Sequence, residues 1–68
     1  MCEATVYVER NGQREKVLKD VIKVEITNQG VVLTSLVQPP QTIQGAIREV
    51  DLLKHSVTLT AERTNKEP

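Results

Sequence analysis

A small all-β barrel of five to seven short antiparallel strands is the fold class that this 68-residue sequence predicts. Three observations predict it. Apolar and polar residues alternate at a period of two in several stretches, as a strand with one face in a core requires. Turn-forming residues, Asn11-Gly12 and Asn28-Gln29-Gly30, separate those stretches at short intervals. Proline, which has no N–H for a ladder, stays outside them, at Pro39-Pro40 and at Pro68. Closing such a sheet on itself removes edges that would otherwise pair with other chains.

The first strand begins at Ala4, with Ala4, Val6 and Val8 on one face and Thr5, Tyr7 and Glu9 on the other. Asn11-Gly12 follows, a pair that tolerates the positive φ angles of a tight hairpin. Arg14 to Leu18 is the return strand, and its charge protects an edge. Lys19-Asp20 predicts a bend. Val21 to Thr27 is a third strand, with Ile22, Val24 and Ile26 on one face. Val31 to Val37 is apolar enough to predict a more buried, central strand. Gln38-Pro39-Pro40-Gln41 breaks the ladder as an extended loop. Thr42 to Val50 is ambiguous: Ile43, Ala46, Ile47 and Val50 have helical spacing, but Gly45 and four β-branched residues favour a strand bent or bulged at Gly45. Asp51 to Lys54 continues it into a turn at Lys54-His55-Ser56. Val57, Leu59 and Ala61 alternate with Thr58 and Thr60 in the last strand. A single domain over 1–62 and a polar tail over 63–68 account for the chain.

Composition excludes more than it assigns. Nine basic residues balance nine acidic ones, so no cationic surplus draws phosphate backbones. The basic residues Arg10, Arg14, Lys16, Lys19 and Lys23 are interleaved with Glu9, Glu15, Asp20 and Glu25, the pattern of a solvated mixed face. Tyr7 is the only aromatic residue, whereas base-stacking surfaces need several. Nucleic acid is therefore not an expected partner. No apolar run is long enough for a membrane helix, and no signal-peptide pattern opens the chain. One cysteine without an export signal predicts the reducing cytoplasm. A lone cysteine and a lone histidine, with no orienting third group, predict no catalysis.

A domain of this size buries only about 60% of the surface of its unfolded chain, so a partner subunit or a metal is a common supplement. That directs attention to Cys2, one residue from the amino terminus and just ahead of the first strand. Thiolate sulfur beside an amine or a deprotonated amide nitrogen closes a five-membered chelate ring, and nitrogen-containing square sites suit Ni²⁺ or Cu²⁺. Removal of Met1 would make the Cys2 amine that nitrogen; retention would leave the Cys2 amide and the Met1 amine. His55, the only histidine, is expected as a surface turn residue at the far end of the last hairpin from Cys2. Glu3 is expected as a solvated strand residue, and Tyr7 as a partly buried core or interface residue.

Several segments, in this order and spacing, carry a family resemblance: Met1-Cys2-Glu3-Ala4, Val6-Tyr7-Val8, Asn11-Gly12, Asp20-Val21 with Val24-Glu25, Gly30-Val31-Val32-Leu33-Thr34, Ile47-Arg48-Glu49-Val50-Asp51-Leu52 and His55-Ser56-Val57-Thr58-Leu59. Over about residues 1–62 the chain resembles the CooT family of small nickel-binding proteins. The resemblance implies an SH3-like β-barrel that forms a homodimer. It implies Ni²⁺ bound through Cys2 of both subunits, and an accessory role in nickel delivery or storage for carbon monoxide dehydrogenase maturation, with the maturation proteins of nickel enzymes as further partners. The alternative is a small-barrel module that binds RNA or docks a protein without metal.

Overall fold

The computed structural model describes residues 3–61, and all its regular structure is β. Six strands follow one another: β1 (Ala4–Arg10), β2 (Gln13–Thr27), β3 (Gly30–Ser35), β4 (Gln41–Ile43), β5 (Gly45–Asp51) and β6 (Ser56–Ala61). They form one sheet in the order β4-β3-β2-β1-β6-β5. The two outermost strands, β4 and β5, are neighbours in the chain, joined through Gln44 alone. A covalent link between opposite edges obliges the sheet to curl into a small barrel-like shape, and β5 accordingly approaches β3. The all-β expectation holds. No helix occurs among the described residues, so none is long and apolar enough to cross a membrane.

Local chemistry explains the corners. Asn11 and Gly12 take φ of 51° and 80°, and Arg10 pairs directly with Gln13, as a two-residue hairpin with two positive φ angles demands. The bend expected at Lys19-Asp20 is present, but it does not divide two strands. β2 runs through it as one 15-residue strand. Asp20 has φ 60°, a left-handed conformation that a short polar side chain tolerates. Residues before the bend pair with β1 and those after it with β3, with Val21 bridging to Ala4 of β1 and Ser35 of β3, which makes Asp20 the corner of the barrel. The Leu36 N–H donates to the Asp20 carbonyl at 3.0 Å and ties the end of β3 to that corner.

The stretch 42–50 is strand on both sides of Gln44, and no helix forms. Gly45 is required by close approach: a Cβ there would collide with the Thr60 carbonyl oxygen of β6. Gly30, at φ 130°, leaves no space either, because a Cβ would lie 2.5 Å from the Ile43 carbonyl oxygen. The Gln44 side-chain amide donates to the Gln29 carbonyl at 2.8 Å, closing this corner.

Val6, Val8, Leu18, Val21, Val31, Leu33, Val57 and Leu59 form the buried core. Three expectations need correction. First, one strand pair is parallel: β1 and β6 run in the same direction, with Thr5 opposite Ser56 and Val8 opposite Leu59. Secondly, an irregularity between Val21 and Lys23 sends Val21 inward and leaves Ile22 and Ile26 exposed, so Ile22, Val24 and Ile26 do not share a buried face. Thirdly, β3 lies next to the edge strand, and β1 and β2 are the central strands. The last turn also sits earlier than predicted, at Leu52–His55, where the Lys54 N–H donates to Asp51 Oδ1 at 3.1 Å. Ser56 already belongs to β6 and is buried.

Candidate functional site

Cys2 lies outside the described residues, as do Met1, residue 62 and the tail over 63–68. What the structure describes is the place from which Cys2 departs. Glu3 is half-buried, and Ala4, the first residue of β1, packs against the core and pairs with Val21. On the other side of β1, the Thr5 N–H donates to the His55 carbonyl at 2.9 Å.

That bond corrects the expected position of His55. If β1 and β6 ran antiparallel, the start of β6 would lie far from the start of β1. They are parallel, so both strands begin at the same end of the sheet, and His55 immediately precedes β6. His55 itself has φ 54°, a left-handed conformation held by the turn on one side and the bond from Thr5 on the other. It is exposed. Glu3 and His55 thus immediately precede two adjoining parallel strands, β1 and β6, although 52 positions separate them in the sequence.

Apolar side chains flank this end of the sheet. Leu36 and Val37 follow Ser35, whose partner Val21 is also the partner of Ala4. They are 58% and 65% exposed. On the opposite flank, Leu52 and Leu53 in the turn before His55 are 80% and 91% exposed. Exposed leucines are unremarkable singly, but here two exposed apolar pairs lie on either side of one strand start. Among the described residues, no three or more His, Cys, Asp or Glu side chains gather as a metal cluster.

The outward face of the sheet carries a second group of polar residues, which sequence reasoning did not assemble. Tyr7 is half-buried there and not in the core. The Arg14 guanidinium lies 4.0 Å from the centre of its ring and donates to Thr58 Oγ1 at 3.3 Å. Glu9 and Arg48 form an ion pair that reaches from β1 across β6 to β5. Glu9, Arg14, Arg48, Glu49 and Thr58 line an open recess of about 300 Å³. Two guanidinium groups face two carboxylates, so the recess has no net charge to attract a phosphate or an acidic peptide. Its contacts lace β2, β1, β6 and β5 together; each such exposed pair contributes roughly 0.2–1 kcal/mol. The signal for the Arg14 part was present in the hairpin: a two-residue Asn-Gly loop sets Glu9 opposite Arg14 and Tyr7 opposite Lys16 on one face. Lys23, another of the interleaved basic residues, pairs with Glu25 at 3.8 Å.

Comparison with known proteins adds to this geometry. Residues 1–60 match the family model described as CO dehydrogenase accessory protein CooT. The fold is also similar to the crystal structure of a CooT candidate from Carboxydothermus hydrogenoformans, with a TM-score of 0.83 and 26% identity over 91% of this chain and 100% of that one. Among curated proteins no match is found.

Proposed function

The chain belongs to the CooT family of CO dehydrogenase accessory proteins, and from that premise we propose that it is a cytoplasmic homodimer that carries Ni²⁺ on Cys2 of each subunit for delivery to, or storage for, carbon monoxide dehydrogenase. The family is one of accessory proteins rather than enzymes, so nickel here is cargo and no reaction is attributed to the chain.

The observation that carries the proposal is the apolar bracket around the start of β1, formed by Leu36, Val37, Leu52 and Leu53, in a chain whose family match includes Cys2. Cys2 is two residues from Ala4, the first residue of that strand. A second copy seated on the bracket would cover the exposed leucines and bring two such strand starts together. Twofold symmetry then presents the same residues from both sides. Each subunit supplies one thiolate and one adjacent nitrogen, and two subunits complete a four-donor set suited to Ni²⁺. An ion shared between copies favours the dimer by mass action, since it binds the associated form and not the separated one.

Titration with Ni²⁺ tests this. One ion per dimer should bind, with sulfur-to-nickel charge-transfer absorption in the near ultraviolet. Cys2→Ser should abolish both the band and the binding while the β-sheet circular dichroism stays unchanged. Undiminished nickel affinity in that variant would eliminate the proposal, and a protein that shows no band at any nickel concentration would be a metal-free docking module.

A further inference from the structure

We propose that residues 22–26 of β2 form an edge that pairs, antiparallel, with the same edge of a second copy about a twofold axis at Val24. The inference rests on the homodimer proposed above and names the strand through which its subunits meet. Topology leaves this edge open. The ladder between β1 and β2 ends at Ala4 and Val21. From Lys23 to Thr27, β2 pairs with β3 on one side, and no described strand pairs with the other. In an antiparallel ladder alternate residues turn their N–H and C=O groups away from the partner strand, so this stretch presents a row of donors and acceptors on its free side. Ile22 and Ile26 belong to that stretch, and each is more than half exposed. The outermost strand β5 is a poorer template, because an irregularity between Ile47 and Glu49 interrupts its ladder.

The order of residues along the edge selects a second copy as its occupant. A twofold axis at Val24 sets residues equally far before and after it opposite one another, as a self-complementary contact requires. Ile22 then faces the partner's Ile26, Lys23 the partner's Glu25, and Val24 the partner's Val24. Apolar meets apolar and positive meets negative, the pairs that stabilise adjoining strands. Other registers fail. A slip of two residues sets Lys23 against Lys23 or Glu25 against Glu25, and a slip of one sets apolar side chains against charged ones. An edge lysine ordinarily guards a strand against unrelated chains, and in this register it gains a carboxylate instead. Lys23 and Glu25 already lie 3.8 Å apart within one subunit, so pairing joins two such pairs into a cluster of four alternating charges. The edge also adjoins one flank of the apolar bracket, since Val21 pairs with Ser35 and Leu36 and Val37 follow. A copy laid along β2 beyond Val21 lies just past the start of β1.

Charge reversal in the intact protein tests the register, with Ni²⁺ present so that the associated form is populated. Lys23→Glu sets two carboxylates against each other at both ends of the paired edge, and Glu25→Lys does the same with two amines. Each variant alone should raise the dimer Kd roughly tenfold in sedimentation velocity at low salt. Both side chains are exposed, so the core is untouched. An equimolar mixture of the two variants restores opposite charges at every position and should form a heterodimer at least as tight as the parent dimer. A defect in the folding of either variant cannot produce that recovery. Amide hydrogen exchange over residues 22–26 should slow as the parent's concentration rises through its Kd. A parent-like Kd in both single variants, a mixture no tighter than its components, or edge amides equally protected at every dilution would each overturn the inference and leave the homodimer to another surface. A chain that stays monomeric at every concentration overturns the inference and the homodimer together, whereas Cys2→Ser judges nickel binding on its own.

Discussion

Replacing both Leu52 and Leu53 by Ser tests the proposed association at its apolar core. In a single subunit these side chains are 80% and 91% exposed, so they contribute little to its folding. Exposed substitutions of this kind change stability by about 0.5 kcal/mol or less each. In a symmetric dimer seated on this turn, four leucines leave water, and fully burying each stabilises by about 1.5–3 kcal/mol. Even with burial short of complete, the double substitution should weaken the dimer by on the order of 4 kcal/mol, about a thousandfold in Kd. Sedimentation velocity over a wide concentration range reads the Kd directly, and thermal unfolding of the same samples separates association from folding. Nickel affinity should fall in parallel, because the shared ion binds the associated form. A variant with the parent's Kd would refute the reasoning and remove the Leu52–Leu53 turn from any interface.

Gly30→Ala should lower the melting temperature by roughly 8–20 °C in a thermal scan. It forces a side chain into φ 130° and onto the Ile43 carbonyl, a strain of the order of 2–3 kcal/mol in a domain this small. Leu33→Ala, at a fully buried position, should destabilise by about 2–5 kcal/mol in urea unfolding with little change in m-value. Arg48→Ala breaks the exposed pair with Glu9 and should lower stability by no more than ~1 kcal/mol, an effect that fades in 1 M salt. Nickel affinity should decrease as pH falls. The thiol ordinarily titrates near 8.5, and two thiols, with the adjacent nitrogens wherever these are protonated, must lose protons per shared ion, so below that pH the affinity should drop at least about a hundredfold per unit. Competition titrations between pH 6 and 8 check this, and a flat profile would contradict ligation by thiolate.

Most of the architecture was legible because its signals are local. The alternation from Ala4 to Val8 and from Val57 to Ala61 reports which side chains face a core. Asn11-Gly12 reports a hairpin, since few other residue pairs take two positive φ angles. Pro39-Pro40 reports where the ladder stops. The ambiguity over 42–50 came from Ile43, Ala46, Ile47 and Val50, whose helical spacing is accidental: they fall on two strands at opposite edges of one sheet, with Gln44 between them. The proposed ligand Cys2 was singled out by its type and place in the sequence, and it lies beyond the described residues.

Strand periodicity by itself determined that this chain is a small β domain and which of its residues are apolar on one face. It carried no information on which strands adjoin or in which direction they run, because a period of two is identical for parallel and antiparallel neighbours. Only the tertiary structure decided that β1 and β6 are parallel, that β2 turns a corner at Asp20, and that His55, Leu52 and Leu53 stand beside the strand that follows Cys2. The physical reason is closure. Once β4 and β5 are joined through one residue, opposite edges of the sheet must meet, and that long-range constraint sets neighbours that no local pattern of residues records.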